Sequence, residues 1–504
     1  MSSCRKDFET VPSSGKLEFS KATIYLDTVF TNIGSSTYTL KVYNKTNKDI
    51  KIPKIQLGKS DSKYRILVDG MSGVDADNNG IGDGKVFNNV ELLAKDSLFI
   101  FVETTANIAD TNPSDYLYTD EIQFDSGSNF QKVNLVTLVK DAVFLYPKKD
   151  TDGTKESLLL GLDEANEEIR VNGFELDEND PINGDEYHFT NQKPYVIYGY
   201  AGIAGGKTLK IDAGARVYFH ADSGLIVQPN ANLEVNGTKP TNPENLLENE
   251  VTFEGDRLEP EFENTPGQWG SVWMREGSNA IINHLTIKNA VVGLLIQNSN
   301  LSIANSQIYN SANVGILAKN SIINGTNLII NSSGQASLAC NLGGEYQFTH
   351  CTFNNNWNNP NQTAVILNNY EINQDATITK IPLAKANFFN CIIYSTNNIA
   401  LLLDNDESVD FNTNFENCLI KFNDFGTVNS KTAIYDFIRN EQSGNIKNKD
   451  PKFYRVNQNK LNINETSAAF QKGNVNYRIP EDIIGITRSL TPDIGAYQSA
   501  DFPE

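Results

Sequence analysis

Phe348-Thr349-His350-Cys351-Thr352-Phe353, Phe388-Phe389-Asn390-Cys391-Ile392-Ile393 and Phe415-Glu416-Asn417-Cys418-Leu419-Ile420 are three versions of one segment. Upstream, Asn305-Ser306-Gln307-Ile308 and Thr326-Asn327-Leu328-Ile329 fit the same frame. Asn289, Asn310 and Asn331 close three such units at intervals of 21 residues. Short β runs separated by Asn/Gly/Ser turns at a near-fixed period predict a stacked solenoid. One repeat cannot bury its apolar side alone, so neighbours bury it together. Cys351, Cys391 and Cys418 hold the same place in their repeats, which predicts one inward column of thiols acting as small apolar groups. With Cys340 they show no zinc-ligand spacing.

The 504-residue chain is long enough for two or three domains and a large core. Its net charge of −20 argues against sequence-independent nucleic-acid binding, which needs clustered Lys/Arg. Residues 150–187 hold thirteen Asp/Glu and two Lys/Arg, and residues 244–263 hold eight and one. These read as solvated acidic loops able to meet a basic partner. No run of eighteen apolar residues exists, so no membrane-spanning helix is expected.

At the N-terminus, Ser2-Ser3-Cys4 followed by Arg5-Lys6-Asp7-Phe8-Glu9 resembles the lipobox and first mature residues of a bacterial lipoprotein, loosely of the Bacteroidota surface type. That resemblance implies a lipid on Cys4 and residues 1–16 as tether and leader. It implies an outer-membrane address, on the cell surface, with lipid as the one membrane contact.

Residues 17–140 alternate apolar and polar in about seven short runs, among them Tyr38–Tyr43 and Leu98–Val102, which predicts an antiparallel β-sandwich. The segment resembles the immunoglobulin-like modules of bacterial surface proteins. Residues 141–194 read as an acidic connector, with a short helix expected over Leu158–Glu168. From about Tyr195 strands and tight turns repeat to residue 450, and the glycine-flanked Trp269 and the Asn-Cys/Ser-x-Ile steps resemble right-handed parallel β-helix proteins. Asp450-Pro451-Lys452-Phe453 and Pro492-Asp493-Ile494-Gly495 resemble their last coil and cap, over residues 451–504. The expected class is therefore all-β: an Ig-like β-sandwich, then a right-handed parallel β-helix with a C-terminal cap.

Asp75, Asp77, Asn79 and Asp83, with the Ile81 carbonyl and Gly80 at the turn, carry calcium-ligand spacing and resemble thrombospondin-type and EF-hand loops. Position twelve is Val86 rather than a bidentate Glu. A structural Ca²⁺ is the one cofactor expected. Cleavage of a polysaccharide by hydrolysis needs two carboxylates about 5–10 Å apart, and residues 277–344 contain no Asp or Glu. Lys288, Lys319 and Arg275 have no acidic companion within their own repeats. Asp404, Asp406 and Asp410 form the one late cluster that could serve a lyase or hydrolase. His188, His220, His284 and His350 are scattered. Trp269, Trp273, Trp357 and Tyr370 are candidate contacts for a ligand or partner. The reading is a non-catalytic surface lipoprotein, a binding or scaffold subunit of an outer-membrane complex with a β-barrel or other envelope protein. The alternative is a polysaccharide-binding or polysaccharide-cleaving β-helix protein.

Overall fold

A computed structural model describes residues 9–149, 151–162, 166–242, 248–373, 375–424 and 433–502. It is all-β: among the described residues the sole α-helix is Asp436–Arg439. None of its helices is long and apolar enough to cross a membrane. The chain forms two compact units, one ending at Ala142 with Leu258–Pro260 added, the other comprising Val143–Arg257 and the chain from Glu261.

In the first unit two sheets share one apolar core. The smaller sheet runs Leu17–Phe19, Tyr38–Asn44, Ser97–Thr104, Tyr64–Val68. Alternation decides its faces: Leu98, Ile100 and Val102 turn inward, while Phe99 and Phe101 turn to solvent. The larger sheet is mixed rather than purely antiparallel. Gln131–Lys140 runs parallel to Thr23–Phe30, and Val11–Pro12 runs parallel to Ile50–Leu57.

The second unit holds two long sheets, one of eleven strands and one of seventeen, parallel throughout except for one terminal pair of the larger. The chain gives each repeat one strand in the first sheet and two runs in the second. Leu285–Lys288 is followed by Val292–Gln297 and Asn300–Ala304, then Gln307–Ser311 begins the next repeat. Register stacks like on like: Phe253, Ile287, Ile308, Ile330, Phe353, Ile393 and Ile420 form one continuous buried column. Each such side chain gains about 1.5–3 kcal/mol from burial, before conformational entropy is subtracted. Cys351, Cys391 and Cys418 are fully buried beside it, each immediately before a strand of the eleven-stranded sheet.

The asparagines have a backbone reason. Asn305, Asn327, Asn390 and Asn417 occupy one turn column with φ of 50°, 48°, 54° and 49°, and His284 and His350 share it at 48° and 52°. Among non-glycine residues Asn, Asp and His best tolerate this left-handed conformation. Asn327 also donates its side-chain amide to Asn305 at 2.9 Å. The 21-residue interval slips by one at its third member. Tyr309 is paired with Asn331, so Ser332, with φ of 55°, takes the turn position equivalent to Asn310.

Three expectations change. Residues 143–189 are no connector, because Val143–Leu145, Glu168–Glu175 and His188–Phe189 pair in parallel with the strands that follow. The helix expected over Leu158–Glu168 is instead Ser157–Leu162, a strand hairpinned to Glu168–Glu175 with a register shift at Gly161. Tertiary pairing overrides the helix propensity of three consecutive leucines. Third, residues 451–502 are not an end cap. They run along the outer face of the eleven-stranded sheet, where Leu461, Ile463, Ala469, Ile483, Ile494 and Ala496 cover Ile329, Ile392 and Leu419. The end is closed by Ala433–Arg439: Phe437 stacks on Phe415 at 4.7 Å and Tyr435 on Phe422 at 4.8 Å, protecting the last edge.

Candidate functional site

The hairpin Tyr370–Ile372 with Ile378–Lys380 leaves the repeat pattern between the strands Thr363–Asn368 and Leu383–Phe389. Polar pairs fix its base. Tyr370 donates its hydroxyl to Asp404 at 2.8 Å, Lys380 pairs with Asp406 at 2.8 Å, and Glu371 pairs with Lys319. Beyond that base Ile372 and Ile378 stand directly opposite each other and are 65% and 52% exposed.

The late acidic cluster is thus engaged in anchoring. Asp406 accepts from Ser408 as well as Lys380, and these contacts hold its carboxyl at about 2. Asp404 raises the Tyr370 phenol by accepting its proton in a hydrogen bond. Asp410 contributes its carbonyl to Leu383 at 2.9 Å. A glycosidic general acid needs a pKa raised toward working pH; Asp406 is shifted the other way.

Of the aromatic candidates, Trp269 is a core residue. It is 1% exposed, lies on Phe219 at 4.3 Å and donates Nε1 to the Lys288 carbonyl. Trp273 is half-buried and donates Nε1 to Gln297. Trp357 and Tyr370 are half-buried near the outer surface. Lys288 does have an acidic companion: Glu254 of the adjoining strand lies 2.5 Å away. The sequence signal was hidden because Glu254 lies within the acidic stretch 244–263 and meets Lys288 only through strand pairing. Arg275 instead caps the carbonyls of Leu159 and Leu160. His188 pairs with Asp212 at 2.9 Å and His220 with Asp256 at 2.8 Å, so the two pairs belong to different turns of the chain. His350 is fully buried.

In the first unit the carboxylates of Asp75, Asp77 and Asp83 lie within 4.8 Å of one another. Backbone amides of Asn79 and Gly80 point at Asp75, and the Gly80 bond in particular lowers its pKa. Asn79 takes the Ile81 amide at 2.8 Å. Gly80, with φ of 89°, makes the turn. Converging carboxylates are the ligand type a hard cation takes, while Val86, at position twelve, opens a strand and offers no carboxylate. If calcium occupies the loop, free ion at one hundred times Kd adds about 2.7 kcal/mol to stability. The first unit's melting temperature then rises in millimolar calcium, falls back with chelator, and stays fixed in Asp75→Ala. Calcorimetric scans with identical melting in calcium and chelator would dispose of the ion. Cys4 lies outside the described residues.

No family model and no curated protein matches the chain. Among solved structures, a PapD-like (ASH) domain of human CEP192 aligns with 28% of this chain and 97% of its own length, at 15% identity and a TM-score of 0.16. A family 123 glycoside hydrolase from Clostridium perfringens aligns over 25% of this chain and 26% of its own, at 7% identity and a TM-score of 0.16. Likenesses this weak carry no argument about fold or function.

Proposed function

We propose that this chain is a non-catalytic binding or scaffold subunit, held on the cell surface of a bacterial outer membrane by a lipid on Cys4. In this reading the first unit is an Ig-like module, with calcium as an ordering ion. The second is a right-handed parallel β-helix that presents its hairpin to a β-barrel or other envelope protein. Three runs per repeat and parallel pairing from one repeat to the next support the β-helix, and parallel crossovers are overwhelmingly right-handed.

The observation that carries the function is the anchored hairpin. A two-stranded hairpin is marginal in water, yet this one is fixed by three polar pairs and leaves an isoleucine pair in solvent. Exposed apolar side chains ringed by polar ones suit a protein interface. The acidic stretches 150–187 and 244–263 favour a basic partner surface by steering. Recovery from native membranes tests this. The wild type retains a stoichiometric envelope protein, and the double variant Ile372→Ser/Ile378→Ser loses at least tenfold of it while melting unchanged. Equal recovery by both proteins would sink the reading.

A further inference from the structure

The first unit carries lysines gathered at the end where the described chain enters it. Val11 donates its amide to the Asp49 carbonyl at 3.0 Å, so the chain starts against the loop that joins Tyr38–Asn44 to Ile50–Leu57. Asn44, 1% exposed, ties this loop to the one before Ser97–Thr104. Its amide donates to the carbonyls of Lys48, Leu92 and Leu93, and its oxygen takes the Thr46 amide. Lys95, with φ of 62°, gives its amide to Thr46 and its ammonium to the Lys45 carbonyl at 2.6 Å. Lys45, Lys48 and Lys95 are thereby brought together, and Lys16 joins them next to Leu17, which pairs with Asn44.

The four lysines are exposed, and none makes an ion pair among the described residues. The acids in the two loops are engaged locally: Asp49 takes the Ala94 amide at 2.8 Å and Asp96 the Ser97 amide at 2.7 Å. Glu91 pairs with Lys51 at 3.1 Å. Glu9 and Glu18 stand exposed nearby. Apolar side chains lie among the lysines. Val11 is 38% and Leu93 37% exposed, and Lys45 sits over the Tyr43 ring at 4.6 Å.

Lysines around exposed apolar and tyrosine side chains suit a phosphate-bearing lipid surface. The ammonium groups meet headgroups while the apolar groups enter the boundary below them. A chain of net charge −20 meets an anionic surface through a cationic end. The entry point says which end that is. Resting on the lipid-anchored reading above, Glu9 is five residues on from the lipid-bearing Cys4, a span of at most about 18 Å. The tether therefore keeps these lysines beside the bilayer. We infer that this end of the first unit docks on anionic lipid headgroups, a second membrane contact that adds to the lipid. A single lipid with a basic patch holds more firmly than the lipid alone.

Vesicle flotation of the full chain carrying Cys4→Ala, which has no thiol to acylate at that position, tests the lysine end by itself. Vesicles with one-third phosphatidylglycerol are expected to retain at least fivefold more protein at low salt than vesicles of phosphatidylcholine alone. Salt at about 1 M, which screens charge beyond about 3 Å, removes the difference. Lys45→Gln/Lys48→Gln/Lys95→Asn lowers retention on anionic vesicles at least threefold with unchanged melting; asparagine suits the left-handed position of Lys95. Lys59→Gln/Lys63→Gln/Lys140→Gln removes the same charge from the opposite strand ends and keeps retention. Equal retention by the two kinds of vesicle, retention indifferent to salt, or equal loss in both triple variants would overturn the inference. Acylation of Cys4 is read separately, from the intact mass of the native protein, so the lipid reading and the lysine surface fail independently.

Discussion

Cys391→Asp is expected to unfold the parallel unit around its central thiol. Cys391 is fully buried, and its sulfur lies within hydrogen-bonding reach of Cys351 and Cys418 on either side. Burial and these two neighbours push its own thiol pKa well up. Burial disfavours the ionised form of an aspartate there. It takes up a proton and still leaves a carboxyl among apolar residues, beside Phe348 and the Phe353–Ile393 column. Burying a polar group without a partner, added to lost packing, places the cost above about 4 kcal/mol. Cys391→Ala, which only leaves a small void, is expected to cost about 1–2 kcal/mol. Urea unfolding of the two variants separates them: a pair of equal, small losses would show that the thiol column faces water.

The second large effect is a pH dependence set by one histidine. His350 sits between the eleven-stranded sheet and the C-terminal strap, fully buried. Nδ1 donates to the Gly495 carbonyl at 3.3 Å, and Nε2 accepts from Asn390 at 3.0 Å, so the neutral ring satisfies both bonds. Desolvation first, and then the Arg488 guanidinium, hold its pKa well below the usual value. Arg488 is itself 1% exposed, bonded to Asn327 and to the carbonyls of Gly495 and Ala496. The other charged groups at this junction are the buried carboxylates Asp482 and Asp493, whose fields favour Arg488, and the Arg478 guanidinium, whose field opposes it. A depressed histidine pKa means that the unfolded chain binds the proton first. Stability is then full above the unfolded pKa of about 6.5 and declines below it, by up to about 1.4 kcal/mol per pH unit, until the folded pKa is reached. His350→Asn keeps a residue suited to the left-handed turn, as Asn327 and Asn390 do in neighbouring repeats. The difference in unfolding free energy between the two proteins isolates the histidine from the carboxylates. It is expected to grow by roughly 1 kcal/mol per unit from pH 6.5 to 4.5; parallel stability curves would mean that the ring is solvated in the folded state.

The same strap shows where sequence reading stops. Residues 451–502 form no regular strand, and Pro492-Asp493-Ile494-Gly495 looks like an ordinary terminal turn. Nothing local says that Ile494 and Ala496 lie against Ile392, about one hundred residues back. The hairpin has the same character. Tyr370, Glu371 and Lys380 read as scattered polar residues until folding brings them to Asp404, Lys319 and Asp406. Glu254 and Lys288 are 34 residues apart in the chain and meet because their strands pair.

What the sequence determined by itself is the repeat: the pairing of Phe348 with Phe388 and Phe415, the buried thiol column, and asparagines at the left-handed turns. These follow from period, side-chain size and backbone conformation, all local quantities that each repeat states anew. What only the tertiary structure decided is which repeat faces are covered, which ends are closed and which polar groups meet. Those outcomes depend on insertions and on the strap, whose partners are fixed by distance in space and leave no period in the chain.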